Sequence, residues 1–171
     1  MLGALGRRSI RLAGGAIPAL STLLLGMVGL LPIDVGGLTR ITPLLAAIAV
    51  HYWSVFRPDL LPPWAAFAIG LMLDLASGGL VGLYAFVFVL LAGYASSQRR
   101  VLSGDSFVTG WAGFAVVMVA VSLLEWTMAS LVRGAPMPAG ASAVQSLLTV
   151  ALYPPLFLLL GRAQLSLLRE S

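Results

Sequence analysis

Residues Leu60 to Ala95, LLPPWAAFAIGLMLDLASGGLVGLYAFVFVLLAGYA, carry a single charged side chain, Asp74. A bilayer's hydrocarbon core, about 30 Å thick, takes roughly 20 residues of helix and seldom more than 25. The run is too long for one crossing, and Ser77-Gly78-Gly79 in its middle reads as a break. It is therefore read as two helices, Pro62–Ser77 and Gly79–Ser97, joined by a turn.

Outward from this pair, four more uncharged or nearly uncharged runs are bounded by charges and turn residues. They are Leu12–Leu31, closing at Pro32-Ile33-Asp34; Ile41–Phe56, slightly short; Phe107–Val132, interrupted only by Glu125; and Ala141–Gly161, with Pro154-Pro155 inside it. The expectation is an all-α polytopic bundle of six transmembrane helices, spans about 12–31, 41–56, 62–77, 79–97, 107–132 and 141–161, in one membrane domain over residues 1–171.

Composition agrees. The chain is 60% hydrophobic and 9% charged, against about 25% charged in soluble domains. That excludes an ordinary soluble enzyme, a disordered tail and a nucleic-acid-binding domain. The basic residues are all Arg and lie scattered in ones, twos and threes, whereas a phosphate-binding surface needs a cluster. With no Cys and one His, thiolate and His-cage metal sites are ruled out. No metal or cofactor is expected.

The Arg positions set the orientation. With a cytoplasmic N-terminus, Arg7, Arg8, Arg11, Arg57, Arg99, Arg100, Arg162 and Arg169 fall inside, and only Arg40 and Arg133 outside. This positive-inside bias predicts that both termini are cytoplasmic. Arg7-Arg8 looks like a twin-Arg export signal, but the apolar run after it exceeds the 7–15 residues of a signal peptide. An uncleaved first helix is expected. Trp64, Trp111, Trp126 and Tyr94 fall near helix ends, as an aromatic belt would.

Few residues could carry chemistry. Asp74 shares a helical face with Gly70 at i−4 and Ser77 at i+3. A carboxylate within a span disfavours insertion by about 2.5–3.5 kcal/mol at the helix centre, so it should face protein or water. It is either an ion, proton or substrate site, or a structural acid capping the next helix; Gly78-Gly79 just downstream points to the cap. Glu125, with Ser122 at i−3 and Ala129 at i+4, is expected at a depth similar to Asp74. The two could share a proton or a cation, or each could hydrogen-bond locally. His51 is either a proton shuttle or an interhelical hydrogen-bonding group. Arg57-Pro58-Asp59 makes a tight turn, since Pro58 restricts Arg57. Gly78-x-x-x-Gly82 fits a small-residue packing pattern. Pro154-Pro155 should bend the last helix, as a hinge or as a static kink. No nucleophile elbow, phosphate-cradling loop or His-Glu-x-x-His is present.

The segment Tyr52-Trp53-Ser54-Val55-Phe56-Arg57-Pro58-Asp59, followed a span later by Gly70-Leu71-Met72-Leu73-Asp74-Leu75-Ala76-Ser77-Gly78-Gly79-Leu80-Val81-Gly82-Leu83-Tyr84-Ala85, resembles the rod shape-determining protein MreD family. The order and spacing of Gly-Leu-x-x-Asp, a short Gly-containing gap, and Leu-x-Gly carry the likeness over residues 43–95. The resemblance implies a non-enzymatic scaffold subunit of the bacterial elongation machinery, in the inner membrane. Its implied partners are the bitopic protein MreC, the MreB filament, and the RodA polymerase with its transpeptidase. It also implies a fold similar to the substrate-binding subunits of energy-coupling-factor vitamin transporters. Such a transporter subunit is the alternative reading. The structural or partner-binding candidates are then Asp74, Gly70, Ser77, Gly78, Gly82, Arg57, Pro58 and Glu125.

Overall fold

Two adjacent prolines start the decisive hairpin. Pro62 holds an extended backbone (φ −66°, ψ 158°), and Pro63 occupies the first helical turn, where its missing N–H has no helical acceptor to lose. The helix runs Pro63–Ser77 and ends at Gly78, whose φ of 64° is left-handed. Gly82, at φ 98°, precedes the return helix Leu83–Ser97. Both positions need glycine because a side chain crowds the backbone there.

The computed structural model describes residues 17–31, 42–99, 107–135 and 139–169. Among them six helices of twelve residues or more are bounded: α1 (Ile17–Gly29), α2 (Leu45–Phe56), α3 (Pro63–Ser77), α4 (Leu83–Ser97), α5 (Phe107–Arg133) and α6 (Ala139–Arg169). No strand occurs among the described residues.

The core is organised around α2. Every residue from Leu45 to Val55 is buried, because α2 is wrapped by α4 and α6 and tied to α1 by Trp53, whose indole N–H donates to Ser21 Oγ at 3.0 Å. Helix α3 packs on α4, and α5 on α6. Outward faces are also apolar: Trp64, Leu75, Val116, Leu131 and Leu147 are each more than two-thirds exposed. Such an apolar exterior suits lipid.

The helix bounds refine the expected spans. Helix α5 and the Ala139–Leu165 part of α6 are each long and apolar enough to cross a bilayer, while the other four are shorter apolar helices. Helix α2 starts at Leu45 rather than Ile41; residues 42–44 are not helical, and Pro43 lies among them. Helix α4 starts at Leu83 rather than Gly79, because residues 79–82 form the turn. Helix α6 is longer than expected at both ends. Residues 12–16 of the first expected span lie outside the described residues.

Candidate functional site

Asp74 sits on the face of α3 that meets α4 and is 2% exposed. Its Oδ2 accepts from the backbone N–H of Gly82 at 2.9 Å and of Ala85 at 3.2 Å; its Oδ1 accepts from Tyr84 N–H at 2.9 Å. These donors belong to the first turn of α4, which has no acceptors of its own within the helix. Asp74 is thus a cap supplied by the preceding helix, and its carboxyl group faces the positive end of the α4 dipole. Both carboxyl oxygens are occupied by this task.

Gly70, one turn before Asp74, explains how the two helices come close enough. A Cβ built on Gly70 would lie 2.5 Å from Ala85 Cα and 2.6 Å from Ala85 N. The obstacle is backbone, so no side-chain adjustment relieves it. The Gly70–Asp74 face is therefore filled by α4. Ser77 is exposed; its Oγ donates to Asp74 O at 3.0 Å and accepts from Gly79 N–H at 3.3 Å. Gly78 and Gly82 have nothing within 4 Å of a built Cβ, so their role is in the turn rather than in close packing.

Glu125 on α5 is half-buried, and its Oε1 is enclosed without a hydrogen-bond partner. Glu125 and Asp74 sit on different helices, α5 and α3. No hydrogen bond joins them. His51 is 1% exposed. Its Nδ1 shares a hydrogen bond with Tyr153 Oη at 3.2 Å, and its ring meets the Phe114 and Tyr153 rings edge-on. Its Nε2 and the Oγ of Ser54, three residues on, are buried without partners. The neighbouring residue, Tyr52, donates from Oη to Gln164 Oε1 at 2.7 Å. At the end of α2, Arg57 reaches past Pro58 to Asp59, with Nη2–Oδ2 at 3.3 Å. That pair is too exposed to contribute much.

The last two helices enclose an apolar groove of about 610 Å³, lined from α5 by Met118, Ser122 and Trp126 and from α6 by Ser142, Ser146 and Val150, among others. Helix α6 continues through Pro154 and Pro155. Pro154 has no N–H for the carbonyl of Val150, four residues back. Trp111 of α5 supplies the substitute, its indole N–H donating to Val150 O at 2.9 Å. Trp111 is thus committed inward, while Trp64 is 74% exposed.

The arrangement binds helices to one another. Among the described residues no group of three acidic or His side chains could hold a metal ion. Sequence reading placed Asp74 and His51 at sites of interest but missed Tyr84, Tyr153 and the Trp111–Val150 link. The Pro154 signal was legible; the indole that answers it, 39 residues before Val150 on the preceding helix, was not. The model of a family described as rod shape-determining protein MreD matches residues 12–163 of the chain. No curated protein and no solved structure gave a match.

Proposed function

This chain belongs to the rod shape-determining protein MreD family, and on that premise we propose that it is a non-enzymatic scaffold of the bacterial cell-elongation machinery. Membership carries the coarser statement, a membrane protein with a role in determining rod shape. The finer reading is that it spans the inner membrane six times with both termini cytoplasmic, in a bundle similar to energy-coupling-factor substrate-binding subunits. There it would hold an MreC-type bitopic protein near MreB, RodA and its transpeptidase, so that lateral peptidoglycan synthesis proceeds.

The observation that carries the scaffold reading is the state of Asp74. The acid that sequence singles out has both oxygens engaged by the α4 backbone, a helix-capping task that supports a structural role. A vitamin-binding subunit needs convergent polar groups in a concave site, whereas the groove between α5 and α6 has almost wholly apolar walls.

Depletion in the host tests the reading. Rounding of rods into spheres, with loss of the bitopic partner from the detergent-purified complex, is expected. A vitamin requirement with unchanged cell shape would replace this reading with transport.

A further inference from the structure

The α3–α4 turn has an unusual position along the bundle. Helices α2 and α4 run parallel: Val55 packs with Ala95 at one end, and Leu44, Leu45 and Tyr84 line one small cavity at the other. Their N-termini are therefore level. That level is tied to α6 by Leu44 N–H, which donates to Thr149 Oγ1 at 3.0 Å. Helix α6 extends outward from Thr149 to Ala139, about 15 Å more at 1.5 Å per residue. Inward, Thr149 lies about 20 Å from Arg162, and Gly82 about 25 Å from Arg99, on the same rise. The hydrocarbon core is about 30 Å thick. With these arginines at the cytoplasmic boundary, the turn falls short of the opposite headgroups while α6 continues past it.

The chemistry of the turn matches that depth. Ser77 to Gly82 contains no charged side chain. Leu80 is 37% and Val81 66% exposed, continuing the apolar outer surface formed by Met72 and Leu75 on α3 and Phe86 and Leu90 on α4. Two helices begin at this level, and neighbouring helices cap both: Asp74 serves α4 and Thr149 serves α2. At a water-exposed loop solvent would meet these N–H groups. Inside hydrocarbon only protein can, and backbone there must be satisfied internally.

We propose that the α3–α4 turn is a tip immersed in the acyl chains of the outer leaflet, contacting lipid through Leu80 and Val81, and is not an aqueous loop. The proposal rests on the six-span reading above. Asp74 is then what makes an immersed helix start tolerable, and the bundle presents the outer leaflet with a low side at α3–α4 and a high side at α5–α6.

The chain has no Cys, so single nitroxide-labelled cysteines at Leu80, Val81 and Ala135 report without background. The protein is purified and reconstituted in phosphatidylethanolamine–phosphatidylglycerol vesicles with a nickel chelate on both sides. At Leu80→Cys and Val81→Cys, oxygen should enhance nitroxide relaxation at least several-fold more than the chelate does. Ala135→Cys, beyond α5, should show the reverse. Chelate access at 80 and 81 equal to that at 135 overturns the proposal, and so does exclusion of both reagents, which would mean that a second copy covers the tip. If Ala135 is the site shielded from nickel, the six-span reading fails there, while the signals at Leu80 and Val81 still decide the depth of the turn.

Discussion

The indole N–H of Trp111 donates at 2.9 Å to the carbonyl of Val150, the group that Pro154 deprives of its helical donor. A proline that interrupts α6 is thereby turned into a polar link between α5 and α6. In an apolar surrounding an unmade hydrogen bond has no solvent substitute, so the indole matters more here than its packing alone implies.

Trp111→Phe should keep the ring and remove the donor, lowering stability by about 1 kcal/mol, within the range for interhelical bonds in membranes. Pro154→Ala restores the α6 donor and should make the same Trp111 change nearly neutral. Unfolding of the four proteins in mixed micelles gives the double-mutant cycle. Additive effects would show that the indole and the proline act independently.

For Asp74 the two occupied oxygens decide the outcome of a conservative change. Asn offers one carbonyl and one NH2, so at least one backbone donor of Gly82, Tyr84 or Ala85 would face another donor. Asp74→Asn is expected to destabilise by about 1–3 kcal/mol, the scale of an unsatisfied buried group, and Asp74→Leu by more. Hydrogen exchange at the amides of residues 82–85 should accelerate locally in the Asn protein. Unchanged exchange there would contradict the capping role.

Two glycines that look alike in sequence should behave oppositely. Gly70→Ala drives a methyl into the Ala85 backbone and should lower stability by at least the roughly 1–3 kcal/mol of an overpacked core. Gly93→Ala meets nothing within 4 Å and should gain up to about 1 kcal/mol of helix propensity. Yield of monodisperse protein after heating in detergent separates them. Tolerance of alanine at position 70 would mean that α3 and α4 are further apart than described.

Tyr153→Phe and Tyr52→Phe each remove one hydroxyl, but from different surroundings. Tyr153 is buried and leaves His51 with neither ring nitrogen bonded; Tyr52 Oη meets Gln164 in a partly buried site. The first should be the more damaging, by about 1 kcal/mol, on the scale of a single net hydrogen bond. Paired thermal melts in one detergent measure the difference, and an equal loss would contradict the ranking.

Several features were legible in the sequence because they depend on local chemistry. Uninterrupted apolar runs require helices, since in lipid each N–H and C=O must bond within its own segment. Ser77-Gly78-Gly79 marked the break because a left-handed backbone favours glycine, and the turn proved to extend through Gly82. Asp74 stood out because an isolated charge in such a run needs a partner, and a cap for the next helix was one of the two readings it left open.

The faces and the partners were decided only by the tertiary structure. In a soluble helix the apolar stripe points to the core. Here the lipid-facing Leu75 and the core-facing Leu73 are the same residue type, 67% and 2% exposed, so periodicity gives no inward direction. Whether Gly70 met an outside partner or α4, which donors Asp74 served, and which side chain answered the Val150 carbonyl all required knowing which helices are neighbours. That choice rests on backbone approach and on a few buried hydrogen bonds between residues distant in the chain, because lipid is as apolar as the core and supplies no hydrophobic force to sort one helix face from another.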